Sequence, residues 1–262
     1  MLYYIYGITD IGSTRSKNED RMLIGNEVLS YGDAEAVLKA PFIAAVCDGV
    51  GGERGGEIAA QKCLAELSKF NYSSLADVKG EVMRIHEMVI EYAQTTQNHK
   101  NMQTTLCGLA IDEQGNGYCL NVGDSRLYRY ANGAATRMST DHTLVRYLYD
   151  MGEISLEEMK TSPDRNVIIS SVGGENQPRI DFTPIGEKLG SLPNDAIIIC
   201  TDGISDYIGK TEIEICMALD EKFDDKIDAL YRLALSRGSS DNLTIIGVTQ
   251  YHETDGDIHV RL

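Results

Sequence analysis

Asp48 and Gly49 end the apolar run PFIAAVC and open the segment VCDGVGGERGGE, which carries five glycines in the eight positions 49–56. A glycine-rich turn after a strand suits two chemistries. Backbone N–H groups can cradle phosphate, or a carboxylate and a freed carbonyl can bind a cation. The phosphate loop needs G-x-x-x-x-G-K-[ST], and no lysine or hydroxyl residue stands in that place; the dinucleotide pattern G-x-G-x-x-G fails at Arg54. The carboxylate reading gains from repetition. AIIICTDG ends in Asp202-Gly203, YCLNVGDSR carries Asp124, and Asp241 in SSDNLTIIGV precedes another apolar run. Aspartates at strand ends beside Gly, Asn or Ser suit a hard cation such as Mg²⁺ or Mn²⁺, which prefers oxygen donors. Each alone is also ordinary turn chemistry, so the weight rests on the set.

The N-terminal segment STRSKNEDRMLIG adds Arg15 and, four and five residues on, Glu19 and Asp20. Adjacent acids can extend a cation site directly or through water, and a guanidinium fork matches phosphate oxygens. A charged surface loop would look the same.

These groups need elements to position them. YYIYGITDIG, FIAAVC, TTLCGLAID, GYCLNVGD, RLYRY, AIIIC and LTIIGVTQY read as strands. A helix from Glu57 carries Ala60, Cys63, Leu64 and Leu67 on one face, and a longer one carries Val78, Val82, Ile85, Val89 and Tyr92. Ser155–Glu158 and Thr211–Glu214 both match a capping box, and a helix with Ile227, Leu230 and Ala234 starts near Asp224 and closes at Gly238. Strands mixed with helical pairs point to an α+β layered domain rather than a doubly wound parallel sheet.

The chain has 262 residues, 42% hydrophobic and 24% charged, enough for a sizeable core. No apolar run approaches a membrane span, and the N-terminus reads as a first strand rather than a signal peptide; the expected setting is the cytoplasm, off the membrane. A net charge of −16 argues against nucleic acid as a partner. The six cysteines form no C-x-x-C pair and read as buried free thiols, and the five histidines suggest no structural zinc.

Taken in order, the motifs resemble the PPM family, the metal-dependent serine/threonine phosphatases of the protein phosphatase 2C type, in their bacterial form. The matching pieces are R-x-x-N-E-D at 15–20, D-G-x-G-G at 48–52, G-E-x-A at 56–59, TTL at 104–106 and NVGDSRLY at 121–128. TDHT at 140–143, TDGISD at 201–206 and SDNLT at 240–244 complete the series. The resemblance implies a four-layer α-β-β-α sandwich of two antiparallel sheets flanked by helix pairs. It implies one catalytic domain over 1–252 with a flap at about 143–174, and a short tail at 253–262. By the same resemblance Asp48 bridges two Mn²⁺ or Mg²⁺ ions, with the Gly49 carbonyl on one and Asp202 and Asp241 completing the other. Glu19 and Asp20 hold waters on the Gly49 side, Asp124 shares a weaker third ion with Asp202, and Arg15 grips the phosphate. The implied reaction is in-line attack by a hydroxide shared between the ions, without a phosphoenzyme. Substrates would be phosphoserine and phosphothreonine proteins made by a cytoplasmic kinase, and the enzyme a monomer.

The chain departs from its relatives at Val50 and Glu53, where histidines occur in some, and at Ser162 in the flap. The proton donor is thus unassigned; His142 in TDHT is a candidate, with a hydrogen-bonding role the plainer reading. The alternative is a catalytically silent relative that binds phosphoproteins or regulates partners, which should have lost metal aspartates; Asp48, Asp202 and Asp241 are present.

Overall fold

A computed structural model describes residues 1–50, 55–70, 77–96 and 101–251. The chain begins with β1 (Leu2–Asp10), β2 (Arg21–Ile24), β3 (Glu27–Leu29), β4 (Gly32–Lys39), β5 (Phe42–Cys47) and the two-residue β6 (Gly49–Val50). Two helices follow, α1 (Gly56–Leu67) and α2 (Val78–Thr95), then β7 (Gln103–Thr104), β8 (Leu106–Ile111), β9 (Gly117–Val122), β10 (Arg126–Ala131) and β11 (Ala134–Arg137). The helices α3 (Leu144–Asp150) and α4 (Leu156–Thr161) precede β12 (Asp181–Pro184) and β13 (Ala196–Cys200). The chain then forms α5 (Asp202–Ser205), α6 (Lys210–Met217), α7 (Phe223–Ser236) and β14 (Leu243–Gln250).

Two six-stranded antiparallel sheets result, ordered β11-β10-β13-β14-β1-β4 and β12-β9-β8-β5-β2-β3. The central strands are apolar on both faces because both faces are covered. Along β5, Phe42, Ala44 and Val46 enter the core between the sheets, while Ile43, Ala45 and Cys47 meet α1 and α2. Along β13, Ile197 and Ile199 face the middle, and Ile198 and Cys200 pack under α6 and α7. This two-residue alternation stacks helices, sheet, sheet and helices: the four-layer sandwich expected from the motifs.

Sequence periodicity locates the helices well. The buried stripe of α1 includes Ala60, Cys63, Leu64 and Leu67, and α2 buries Val78, Val82, Ile85 and Val89. Ser155 and Glu158 form a reciprocal capping box on α4. The box expected at Thr211–Glu214 is displaced. Gly209 is the N-cap of α6, Thr211 lies inside the helix, and Glu212 accepts from the Gly209 N–H at 2.9 Å. Glycine has no side chain to return the bond, so this cap is one-sided. Among the described residues no helix is long and apolar enough to cross a membrane. All six cysteines are free and buried.

Candidate active site

Strand register brings the chemistry-bearing residues to one end of both sheets. Arg21 pairs with Cys47, so Asp20, just before β2, and Asp48, just after β5, flank the same rung. Arg126 pairs with Cys200, and Cys200 with Ile245. Asp124 and Asp202 therefore each stand two residues beyond that rung, and Asp241 two residues before β14.

The turn after β5 is held by its neighbour. The Thr105 hydroxyl accepts from the Asp48 N–H at 2.9 Å, while the Thr105 N–H and the Thr104 hydroxyl both donate to the Asp48 carbonyl at 2.9 Å. Gly49 then runs against the first residue of α1. A Cβ on Gly56 would lie 2.6 Å from the Gly49 carbonyl oxygen, and one on Gly49 would lie 2.8 Å from the Glu19 carbonyl oxygen. Only hydrogen fits at both positions, so these glycines serve close backbone approach.

Asp20 is 1% exposed, and one of its oxygens accepts from the Thr201 hydroxyl at 2.8 Å and the Thr244 hydroxyl at 2.7 Å. The Thr244 hydroxyl also contacts that of Thr9 at 2.8 Å, and Thr9 accepts from the Asn18 amide at 3.0 Å. An amide N–H only donates and a carboxylate only accepts, which orders the ladder as Asn18 to Thr9 to Thr244 to Asp20.

Burial and mutual charge set the electrostatics. Burial pushes Asp20 up to about 7 against the threonine hydrogen bonds, with Asp202 and Asp241 adding to the rise. Asp48 is pushed well above the usual range by burial, then by the charges of Asp202, Asp20, Asp124 and Asp241. Asp124 is raised by burial and by Asp202, against the pull of Arg126. Asp202 is raised to about 6 by burial and by Asp241 and Asp206, against a hydrogen bond from Asp48.

Arg15 donates to Asp241 at 2.7 Å, and its guanidinium also feels Asp202 and Asp48. Glu19 is placed differently. Burial and the charge of Glu57 raise it, and Lys17 and Arg15 oppose them; it stands on the Glu57–Lys17 side of the cluster, where Lys17 pairs with Glu57. One Glu57 oxygen is buried without a partner. Glu53, Gly51 and Gly52 lie outside the described residues, as does the tail at 253–262. Val50 is in β6, paired with Gln103.

His142 is 2% exposed with both ring nitrogens engaged. Nδ1 accepts from the Gly123 N–H at 3.2 Å, which leaves the proton on Nε2 to bond Asp181 at 3.1 Å. The ring ties the β9–β10 turn, which carries Asp124, to β12.

Sequence reasoning passed over several residues that hold the site. Asn242 accepts from the Glu19 N–H at 2.8 Å and donates to the carbonyls of Ile11 at 3.0 Å and Lys17 at 2.9 Å, latching the loop that carries Arg15. Thr105, Thr201 and Thr244 were equally visible, inside the motifs TTL, TDG and SDNLT. Thr201 stands next to Asp202, Thr244 three residues after Asp241 and Thr105 beside no charged residue at all, and hydroxyls carry no signal comparable to a carboxylate's.

The donor set fits a hard divalent cation. All the converging groups are oxygens, their charges repel, and one Asp124 oxygen is buried with no hydrogen-bond partner. Among the described residues no three such side chains already stand in ligand geometry. A cavity of about 690 Å³ lies at the far end of the first sheet, beside Tyr4, Ala196 and Gln250, and contains none of these carboxylates.

Comparison with known proteins agrees with this geometry. Residues 33–245 match the family model described as protein phosphatase 2C. The serine/threonine phosphatase stp of Listeria monocytogenes is 28% identical over 247 residues, covering 91% of this chain and 92% of that protein. The solved serine/threonine phosphatase of S. agalactiae superposes with a TM-score of 0.80 at 26% identity, over 95% of this chain and all of that one. PstP/Ppp of Mycobacterium tuberculosis gives a TM-score of 0.79 at 25% identity, over 96% of this chain.

Proposed function

The chain belongs to the protein phosphatase 2C family and is a metal-dependent protein serine/threonine phosphatase, and on that premise we propose how its own residues do the work. Asp48, the Gly49 carbonyl, Asp202 and Asp241 hold two divalent cations, Mn²⁺ or Mg²⁺. Glu19 and Asp20 orient water beside them, and Asp124 with Asp202 takes a weaker third ion. The observation that carries this reading is the convergence of Asp20, Asp48, Asp124, Asp202 and Asp241, buried or half-buried, at one end of the sheets, where burial and neighbouring carboxylates raise Asp20, Asp48, Asp124 and Asp202. Cations bound there supply a low-pKa water and positive charge for the phosphoryl oxygens.

The remaining work falls to the chain itself. Arg15, half-exposed at the rim, offers its guanidinium fork to the phosphate of a phosphoserine or phosphothreonine. Its bond to Asp241 holds it in place before substrate arrives. Asn242 fixes the Arg15 loop through three hydrogen bonds, and the Asn18–Thr9–Thr244 ladder fixes Asp20. A thiolate route has no support, since Cys47, next to Asp48, has its thiol pushed well up, chiefly by burial. His142 is spent on hydrogen bonds, so the leaving alcohol takes its proton from water. Residues 143–174 act as the flap over the substrate. The enzyme works as a monomer in the cytoplasm, on proteins phosphorylated by a serine/threonine kinase.

The test is hydrolysis of a phosphothreonine peptide with Mn²⁺, with Mg²⁺ and with chelator. Turnover should require the cation, and Asp202→Asn should lower kcat/KM by about a hundredfold or more. Equal rates with chelator, or an unimpaired variant, would refute the assignment.

A further inference from the structure

In a chain of net charge −16, a place where cations outnumber carboxylates needs a reason. A cleft of about 360 Å³ between the 143–174 excursion and the first sheet is lined by Arg126, Arg137, Arg146, Lys160 and Arg165 against Asp141 and Asp206. Arg126 rises from β10, two residues past Asp124, and donates to the Ser205 carbonyl of α5 at 2.8 Å. The cleft therefore shares a wall with the carboxylate cluster.

The cations are not balanced from within. Asp141 accepts from Arg126 at 3.0 and 3.3 Å and also pairs with Arg137, so one carboxylate serves two guanidiniums. The Arg137 Nε is buried with no partner. Arg146 is bound to Asp150 at 3.0 Å within α3. Lys160 and Arg165 are exposed, and their side chains have no ion pair among the described residues. Holding Asp141 and α5 against β10 and β11 accounts for Arg126 and Arg137. It gives no work to Lys160 and Arg165, which face the same opening from α4 and the loop after it.

We propose that this cleft is an anion subsite selecting substrates that carry a second acidic group, a carboxylate or a further phosphate, a few residues from the phosphate being removed. The proposal rests on the phosphatase reading above. Arginine forks suit either anion, and an extended peptide advances about 3.3 Å per residue, so a neighbouring side chain reaches the cleft while its phosphoresidue lies at the aspartates.

The experiment compares kcat/KM in Mn²⁺ for three phosphothreonine peptides, one with neutral flanks, one with Asp and Glu flanks and one with a second phosphoserine. Wild type should favour the anionic peptides by on the order of tenfold, less at high salt. In the double variant Lys160→Glu, Arg165→Glu, both exposed positions, that ratio should fall to about one or below. A preference for only the doubly phosphorylated peptide would assign the cleft to phosphate; equal preference for both would assign it to anions generally. No preference in wild type, or an unchanged ratio in the variant, would overturn the subsite while leaving the phosphatase intact. Failure of wild type to hydrolyse even p-nitrophenyl phosphate would overturn the phosphatase reading, and the subsite with it.

Discussion

Two residues show how the site is held by groups that do no chemistry themselves. The Thr244 hydroxyl donates to the buried Asp20 carboxylate and relays the hold of Asn18 through Thr9. Thr244→Val keeps the shape and removes the donor. Stability should fall by about 1–3 kcal/mol, the cost of an unmet bond to a buried charged group. Mn²⁺ affinity, measured by calorimetry, should weaken about 10–100-fold, as when a partner behind a ligand is lost. His142 gives a pH prediction. Burial lowers its pKa below 6.5, against the bond to Asp181. The unfolded chain then binds a proton near pH 6.5 that the folded chain refuses, so stability is lost as pH falls below that value. Asp181 is itself lowered, against its own burial, by bonds from His142 and Arg179, and its contribution is lost only at more acid pH. His142→Gln can reproduce both bonds without titrating. Denaturant midpoints at pH 7.5 and 5.5 should therefore diverge more in wild type, by no more than about 1.4 kcal/mol per pH unit. The carboxylates were legible in the sequence because Asp beside Gly at a strand end is a spacing. The threonines were not, because a hydroxyl's partner is visible only once strands are paired.

Among the elements, the turn from β5 into α1 depends on the backbone contact of Gly49 with Gly56. Gly56→Ala would drive a methyl group against the Gly49 carbonyl. The expected cost is about 1–3 kcal/mol from overpacking, seen as a lower melting temperature, with weaker Mn²⁺ binding because that carbonyl moves. Unchanged cation affinity would mean the carbonyl has no part in the site. Sequence patterning found β1, β5, β8, β9, β10, β13 and β14, whose apolar runs pair on both sides or pack deeply. It missed β2, β3, β4, β11 and β12, which are short, half-exposed or at sheet edges. On β4 burial alternates so that Glu35 is exposed, and a polar edge strand reads as loop. The Thr211 box failed because an S/T-x-x-E match fixes no start when a glycine two residues earlier can begin the helix.

For the whole molecule, the stacked sheets explain why residues from Arg15 to Asp241 meet. Antiparallel strands that cross between two sheets return their ends to one rim, and register fixes which ends. Motif order identified the family and the architecture, but spacing along the chain could not reveal that Glu19 sits by Glu57 and Lys17, or that five cations gather beside the aspartates. The charge of the rim is the property the account depends on, since carboxylates that raise one another's pKa need a cation to stay together. The most direct test is anomalous diffraction from crystals soaked in Mn²⁺. The account predicts two strong peaks among Asp48, the Gly49 carbonyl, Asp202 and Asp241, and a weaker one beside Asp124. Crystals with no manganese in that pocket, at a concentration that supports hydrolysis, would contradict it.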